Sequence, residues 1–218
     1  MAATERITPV SRATLQRLPS YHAVLRELAK TGREHVSCTH IANALHLDPT
    51  QVRKDLSVTG IVGRPRIGYD MADLLEAVET FLGWRNAKDA FLVGVGALGT
   101  AVLGYDWTDP YGMNILAGFD TSPERIGKEV HGKPVYAIEK LADLAQRMNV
   151  PIGIITVPTE HAQETANAMV LAGIRAIWNL TPAELEVPED VIVENVRLSV
   201  SLGVLTSKLN EKIQAEKL

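Results

Sequence analysis

An α/β protein carrying a separate, basic, helical head is what this sequence predicts, and three observations predict it. Positive charge gathers at the front: residues 1–66 hold ten Lys and Arg against five Asp and Glu, a balance of +5, and the rest of the chain carries −9 of the total −4. From residue 90 onward, short apolar segments alternate with helical ones, the pattern of a parallel sheet with helical crossovers. The first of those apolar segments runs directly into Gly94-Val95-Gly96-Ala97-Leu98-Gly99, a G-x-G-x-x-G spacing used by phosphate-binding turns between strand and helix.

The 218 residues make one large domain or two small ones, and 46% hydrophobic with 22% charged residues argues for packed cores over disorder. No apolar run approaches the roughly 18 residues of a membrane span, and the opening MAATERITPVSR lacks the apolar stretch of a secretory signal. A single cysteine, Cys38, excludes an internal disulfide and a cysteine-based zinc site, and no other metal site is expected. The chain is expected to be soluble and cytoplasmic, with no membrane partner.

In the head, Leu15, Leu18, Val24, Leu25 and Leu28 recur at helical spacing as far as Thr31-Gly32. Proline fits the first turn of a helix better than its middle, so the helix is expected to start at Pro19, with residues 8–18 leading in. A short helix over residues 37–47 follows, and Asp48-Pro49 restarts helix with an N-cap and a proline at the first position. Two short helices on a tight turn behind a longer one are the layout of a helix-turn-helix. The second short helix turns Val52 and Leu56 inward and Gln51, Arg53 and Lys54 outward. Arginine can bind a guanine edge and glutamine an adenine edge through two hydrogen bonds, whereas lysine mainly meets phosphate. After Gly60, residues 61–69 place Arg64 and Arg66 in an apolar–basic–apolar stretch that suits a β-hairpin wing. Double-stranded DNA is the expected partner; a packing module with a solvated basic face is the alternative. Asp70 then caps an amphipathic helix ending near Gly83, and residues 84–89 form a polar link.

In the second part, strands are expected at residues 90–95, 113–120, 151–157 and 174–180, with helices at 97–104, 138–148 and 160–172. In the glycine loop, Gly94 permits the tight turn, Gly96 lets backbone approach a pyrophosphate, and Gly99 brings helix against strand. The second strand ends in Asp120, 21 residues past Gly99, where a carboxylate can bond both ribose hydroxyls of an adenosine and favour NAD(H) over NADP(H). A glycine turn that is merely tightly packed, or a loop for CoA or another nucleotide, stays open. Acid–base candidates are thin: His131 lies in an expected turn and His161 at a helix start, with no Tyr-x-x-x-Lys at a plausible site. The cofactor is therefore read as a ligand rather than a reagent, and a small NAD-dependent oxidoreductase is the competing class.

Arg17-Leu18-Pro19 with Tyr21, Gln51-Val52-Arg53-Lys54-Asp55-Leu56-Ser57, Gly68-Tyr69, the glycine loop with Asp120, Thr156-Val157-Pro158 and Asn179-Leu180-Thr181-Pro182 together make the chain resemble the redox-sensing transcriptional repressors of the Rex family over nearly its whole length. The resemblance implies a winged helix-turn-helix domain over residues 1–85 and a Rossmann-like doubly wound parallel sheet over 86–196. It also implies a C-terminal helix over 197–218 exchanged between the subunits of a homodimer. It implies a repressor released from operator DNA by NADH, with Gln51, Arg53, Lys54, Ser57, Arg64 and Arg66 at the DNA. Residues 94–99, Asp120 and Tyr105 would then serve the NAD(H) site, Tyr105 through the network that links cofactor to dimer. Leu198, Leu202, Leu205, Leu209 and Ile213 supply one apolar face for the last helix; folding of that helix onto its own subunit is the alternative. The chain departs from the family's usual pattern at Val58-Thr59, where Tyr-Phe is common, and at Arg66, where glycine is common. Arg197 replaces the aspartate, and Ala23 the arginine, of the family's dimer switch.

Overall fold

The computed structural model describes residues 10–86 and 88–216; Arg6, part of the head's charge, lies outside them. The chain divides into two compact units. One holds the residues up to Asn86 together with Pro110–Gly112, the other Ala87–Asp109 and Met113 onward.

The head opens with α1, Arg12–Lys30, capped by the Ser11 side chain accepting from the Thr14 N–H. The helix therefore does not begin at Pro19 but carries it inside. Proline removes one i→i−4 hydrogen bond at Leu15. Thr14 and Arg17 before the proline and Tyr21 after it all donate to Asp55, so both flanking turns are pinned. Strand β1, His35–Val36, leads to α2, Cys38–Leu45, which starts in a capping box between Ser37 and His40. Helix α3, Pro49–Leu56, has Asp48 as N-cap and Pro49 at its start. The Asp48 cap and the proline after it are the ones the sequence suggests.

The wing is smaller than a hairpin: one bridge, Arg64 to Gly68, closes a tight turn, and β2, Tyr69–Asp70, pairs with β1 instead. Helix α4, Met71–Phe81, follows from the Asp70 cap. Leu18, Tyr21, Leu25, Ile41, Val52, Leu56, Leu74 and Val78 form the fully buried centre of this unit. Trp84 stacks edge-on between His22 and Tyr111, and Gly112, at φ +63°, lets its backbone lie against the Trp84 carbonyl.

The second unit is built on β3 (Lys88–Val93), β4 (Met113–Asp120), β5 (Glu129–Val130), β6 (Lys133–Ala137), β7 (Ile152–Ile155), β8 (Ala176–Asn179) and β9 (Ile192–Asn195). Their order is β5-β6-β4-β3-β7-β8-β9, parallel throughout except for the β5–β6 pair. Without β5 this is the doubly wound order 3-2-1-4-5-6, with the reversal of winding between β3 and β7. Helices α5 (Ala97–Gly104), α6 (Leu141–Met148) and α7 (Ala162–Leu171) make the crossovers. Two buried clusters flank the sheet, one around Phe91, Phe119, Leu141 and Met169 and one around Leu92, Leu103, Ile115 and Ile154. Helix α8, Leu198–Ala215, has no buried residue. Leu198, Leu202, Leu205, Leu209 and Ile213 are 72, 60, 64, 53 and 40% exposed, so α8 is not folded onto its own chain. No helix among the described residues is long and apolar enough to cross a membrane.

Candidate functional site

A cleft of about 780 Å³ opens at the C-terminal ends of β3, β4 and β7, the place where open α/β sheets bind ligands. Gly94, Gly96, Asp120, Arg125, Thr156, Pro158, His161 and Glu164 are among its walls. Gly94 has φ +100°, and a Cβ there would stand 2.8 Å from the Thr156 carbonyl carbon and the Val157 nitrogen, so the turn admits no side chain. A Cβ at Gly99 would run into the Gly94 carbonyl oxygen and the Thr156 hydroxyl, which fixes how closely α5 approaches β3. At Gly96 a Cβ would meet no protein atom; protein packing does not require that glycine, and the space it leaves faces the cleft. Gly96 is also the N-cap of α5 and brings no side-chain cap, so the first N–H groups of α5 lack an intrahelical partner and suit an anion. Ala97 and Leu98 are exposed in that first turn, while Val95 is buried beneath it.

Asp120 is 7% exposed and already engaged. Its Oδ1 accepts the Ser122 N–H at 2.8 Å, and its Oδ2 accepts the Val95 N–H at 2.8 Å and Arg125 Nη1 at 3.1 Å. Burial alone would raise its pKa, yet these donors hold it below the ordinary aspartate value. The sequence suggests a carboxylate bonding both ribose hydroxyls; the structure leaves it one open direction, on Oδ1, because the carboxylate also closes the glycine turn. Arg125, about half exposed, is the cleft's cation, and sequence reasoning missed it. Tyr105 does not line this cleft. It caps the far end of α5, packs tilted against Trp107 at 4.4 Å between ring centres, and borders a separate hollow with His131 and Lys133.

The second candidate surface belongs to the head. On α3 and its C-cap, Arg53, Lys54 and Ser57 are exposed and Val52, Asp55 and Leu56 buried. Thr50, exposed three residues before Arg53 and seven before Ser57, completes the outer stripe; that spacing was the signal for it. Gln51 is turned away from the stripe: its Nε2 donates to Asp55 Oδ1 at 2.9 Å. Arg53, Ser57, Arg64 and Arg66 border one hollow of about 510 Å³, with Cys38 and Tyr69 among its inner lining. Burial and the neighbouring Cys38 raise the Tyr69 pKa, so it stays a neutral hydroxyl. Arg66 stands at φ +66°, where glycine is the natural occupant. Arg197, at the start of α8, pairs with Glu184 of its own chain.

A family model described as CoA binding domain matches residues 85–183, and one described as putative DNA-binding protein N-terminus matches residues 9–57. A redox-sensing transcriptional repressor Rex of Treponema denticola is 44% identical over 199 residues, covering 91% of this chain and 95% of that protein. The Rex repressor of Clostridium botulinum is 37% identical over 202 residues, 93% of this chain and 96% of its own. Among solved structures, RSP in complex with β-NAD+ and operator DNA superposes with a TM-score of 0.87 at 36% identity, over 96% of this chain and 97% of that one. RSP in complex with β-NADH gives 0.87 at 35%, over 96% and 99%.

Proposed function

The chain belongs to the Rex family of redox-sensing transcriptional repressors, and on that premise we propose that it is a homodimeric repressor that binds operator DNA and is released by NADH. The observation that carries this reading is the whole-chain likeness to RSP, solved both with β-NAD+ and operator DNA and with β-NADH. In this reading Arg53 meets base edges, with Thr50 and Ser57 beside it, and Lys54 and the wing residues Arg64 and Arg66 meet phosphates. Gly94, Gly96 and the first turn of α5, including Ala97 and Leu98, take the pyrophosphate of NAD(H). Val95 and Gly99 shape the loop from beneath. Asp120 takes one ribose hydroxyl through Oδ1, with Arg125 alongside. Tyr105 acts at a distance from the cofactor, through the neighbourhood of Trp107.

The protein transfers no hydride in this reading; NADH acts as an effector. A ligand moves such an equilibrium only by its differential affinity for the two forms, and a two-fold dimer reads a palindrome only at the matching half-site spacing. The exposed apolar face of α8 is assigned, with the rest of the 197–218 segment, to the dimer, each helix covered by the partner. The assignment of 1–85 to DNA, 86–196 to cofactor, and the cytoplasm as the place of action, complete the reading.

Fluorescence anisotropy of the full chain on a palindromic Rex-type operator, titrated separately with NADH, NAD+, NADPH and CoA, tests it. Release by NADH alone supports the sensor. Tight binding unmoved by NADH keeps the repressor and removes the sensor, the outcome that Arg197 paired with Glu184 would explain. Release by CoA would favour a different nucleotide in the same cleft, as the match to a CoA binding domain allows.

A further inference from the structure

A single buried carboxylate sits behind the outer face of α3. Asp55, 1% exposed, accepts five hydrogen bonds. From α1 come Thr14 Oγ1 at 3.0 Å, Arg17 Nε at 2.7 Å and Nη2 at 2.9 Å, and Tyr21 Oη at 2.6 Å; from α3 itself comes Gln51 Nε2 at 2.9 Å. An ionised carboxylate has about four lone-pair sites, so Asp55 is saturated. The Arg17 fork is bidentate and planar, and such pairs restrict orientation as well as adding energy.

The three α1 donors span two turns of that helix and converge on one atom group of α3. Rotation of α3 about its own axis, or sliding along α1, would break several of these bonds together. Apolar contacts of Val52 and Leu56 tolerate small rotations; this arrangement does not. The outer stripe of Thr50, Arg53 and Ser57 is set by the same roll angle. Gln51 lies one turn from Asp55 and is drawn to its edge of the buried face.

We propose that Asp55 is the positioning residue of the DNA-reading helix: with Arg17, Tyr21 and Thr14 it fixes the roll of α3 that aims Arg53, and Gln51 acts on DNA through Asp55 rather than by reading a base. The inference rests on the DNA-binding reading above and adds the device that orients the helix.

The test uses the full chain, by anisotropy, on the palindromic operator and on a scrambled duplex of equal length and composition. The variants are Asp55→Asn, Arg17→Lys, Gln51→Ala and the double variant Asp55→Asn/Gln51→Ala, each checked for helical content by circular dichroism. Asp55→Asn and Arg17→Lys are expected to lose about ten- to a hundredfold in operator affinity, the size of a lost charged hydrogen bond, with scrambled-duplex affinity held within about threefold because phosphate contact survives. The Gln51→Ala effect is expected to vanish in the Asp55→Asn background, since residues acting through one network are not additive. Operator and scrambled affinities falling in parallel in folded variants would overturn the proposal. So would a Gln51→Ala loss of equal size in both backgrounds with altered preference at one base. If Asp55→Asn loses its helical signal, Arg17→Lys decides alone, because it keeps the charge and removes only the fork. Wild-type protein that does not distinguish the two duplexes would fail the DNA reading itself, and this inference with it.

Discussion

The carboxylate of Asp120 closes the glycine turn from 25 residues away, its Oδ2 accepting the Val95 N–H at 2.8 Å. One residue thus holds the loop and faces the cleft. Asp120→Ala should weaken NADH by about tenfold or more, narrow the gap between NADH and NADPH, and destabilise the fold by about 1–3 kcal/mol through the orphaned Val95 N–H. Fluorescence titration of both cofactors and chemical denaturation measure the three quantities. An unchanged NADH-to-NADPH ratio would remove Asp120 from ribose recognition.

Arg66 pays a backbone cost at φ +66°. Arg66→Gly should raise stability by about 1 kcal/mol while lowering operator affinity and reducing its salt slope by about one. Opposite signs in denaturation and in anisotropy are the signature. A fall in both would show that the wing needs the arginine for its own structure.

Asp55 gives the head a defined response to acid. Burial alone would raise its pKa, but Arg17, Tyr21, Thr14 and Gln51 hold it at about 2, below the unfolded value of 3.8. A depressed carboxylate contributes stability that is fully present above the unfolded pKa and is lost as pH falls through the folded one. The contribution, about 2–3 kcal/mol, should therefore be intact at pH 5 and disappear between about pH 4 and pH 2. Denaturant midpoints followed through that window should flatten in Asp55→Asn. Tyr21, pushed up to about 12 first by burial and then by Asp55, keeps its proton and donates throughout.

Arg53 and Lys54 are adjacent and both exposed on α3, yet they should fail differently. Arg53→Ala is expected to cost about 1–3 kcal/mol of operator affinity and relax the preference at one base pair, whereas Lys54→Ala should weaken all duplexes alike and lower the salt slope by about one. Competition with single-base operator variants at two salt concentrations separates them. Equal losses on random DNA would remove Arg53 as a base reader.

Local chemistry made much of this legible. The caps Ser37, Asp48 and Asp70, the glycine loop and the 113–120 strand are all where their residues say. What escaped was decided at long range. Pro19 looks like a helix start until Asp55, 36 positions on, is seen to pin both sides of it. Residues 133–137 contain a proline and read as the exit of a turn, but β6 needs only to pair with β4 on one side and a two-residue β5 on the other. Residues 192–195 alternate exposed and half-buried at the sheet edge; the β-branched run Val191-Ile192-Val193 stops after three residues at Glu194-Asn195, too short to show a strand's period in the sequence. Gln51 and Asp120 are of the types that DNA and ribose call for; only the fold reveals that partners within the protein already take Gln51 and all but one direction of Asp120.

The head borrows three residues, Pro110–Gly112, from beyond β3 and α5, and Tyr111 among them completes the ring stack on Trp84. The backbone therefore passes from one unit to the other three times. A proteolytic nick between residues 86 and 88 would leave residues before it joined to Pro110–Gly112 only by non-covalent packing on Trp84, and a gene fragment ending at residue 86 would encode the head with one wall of the Trp84 site absent. The two units are distinct in packing but not in inheritance: recombination that grafts this head onto another sheet would have to carry the 110–112 loop along with it.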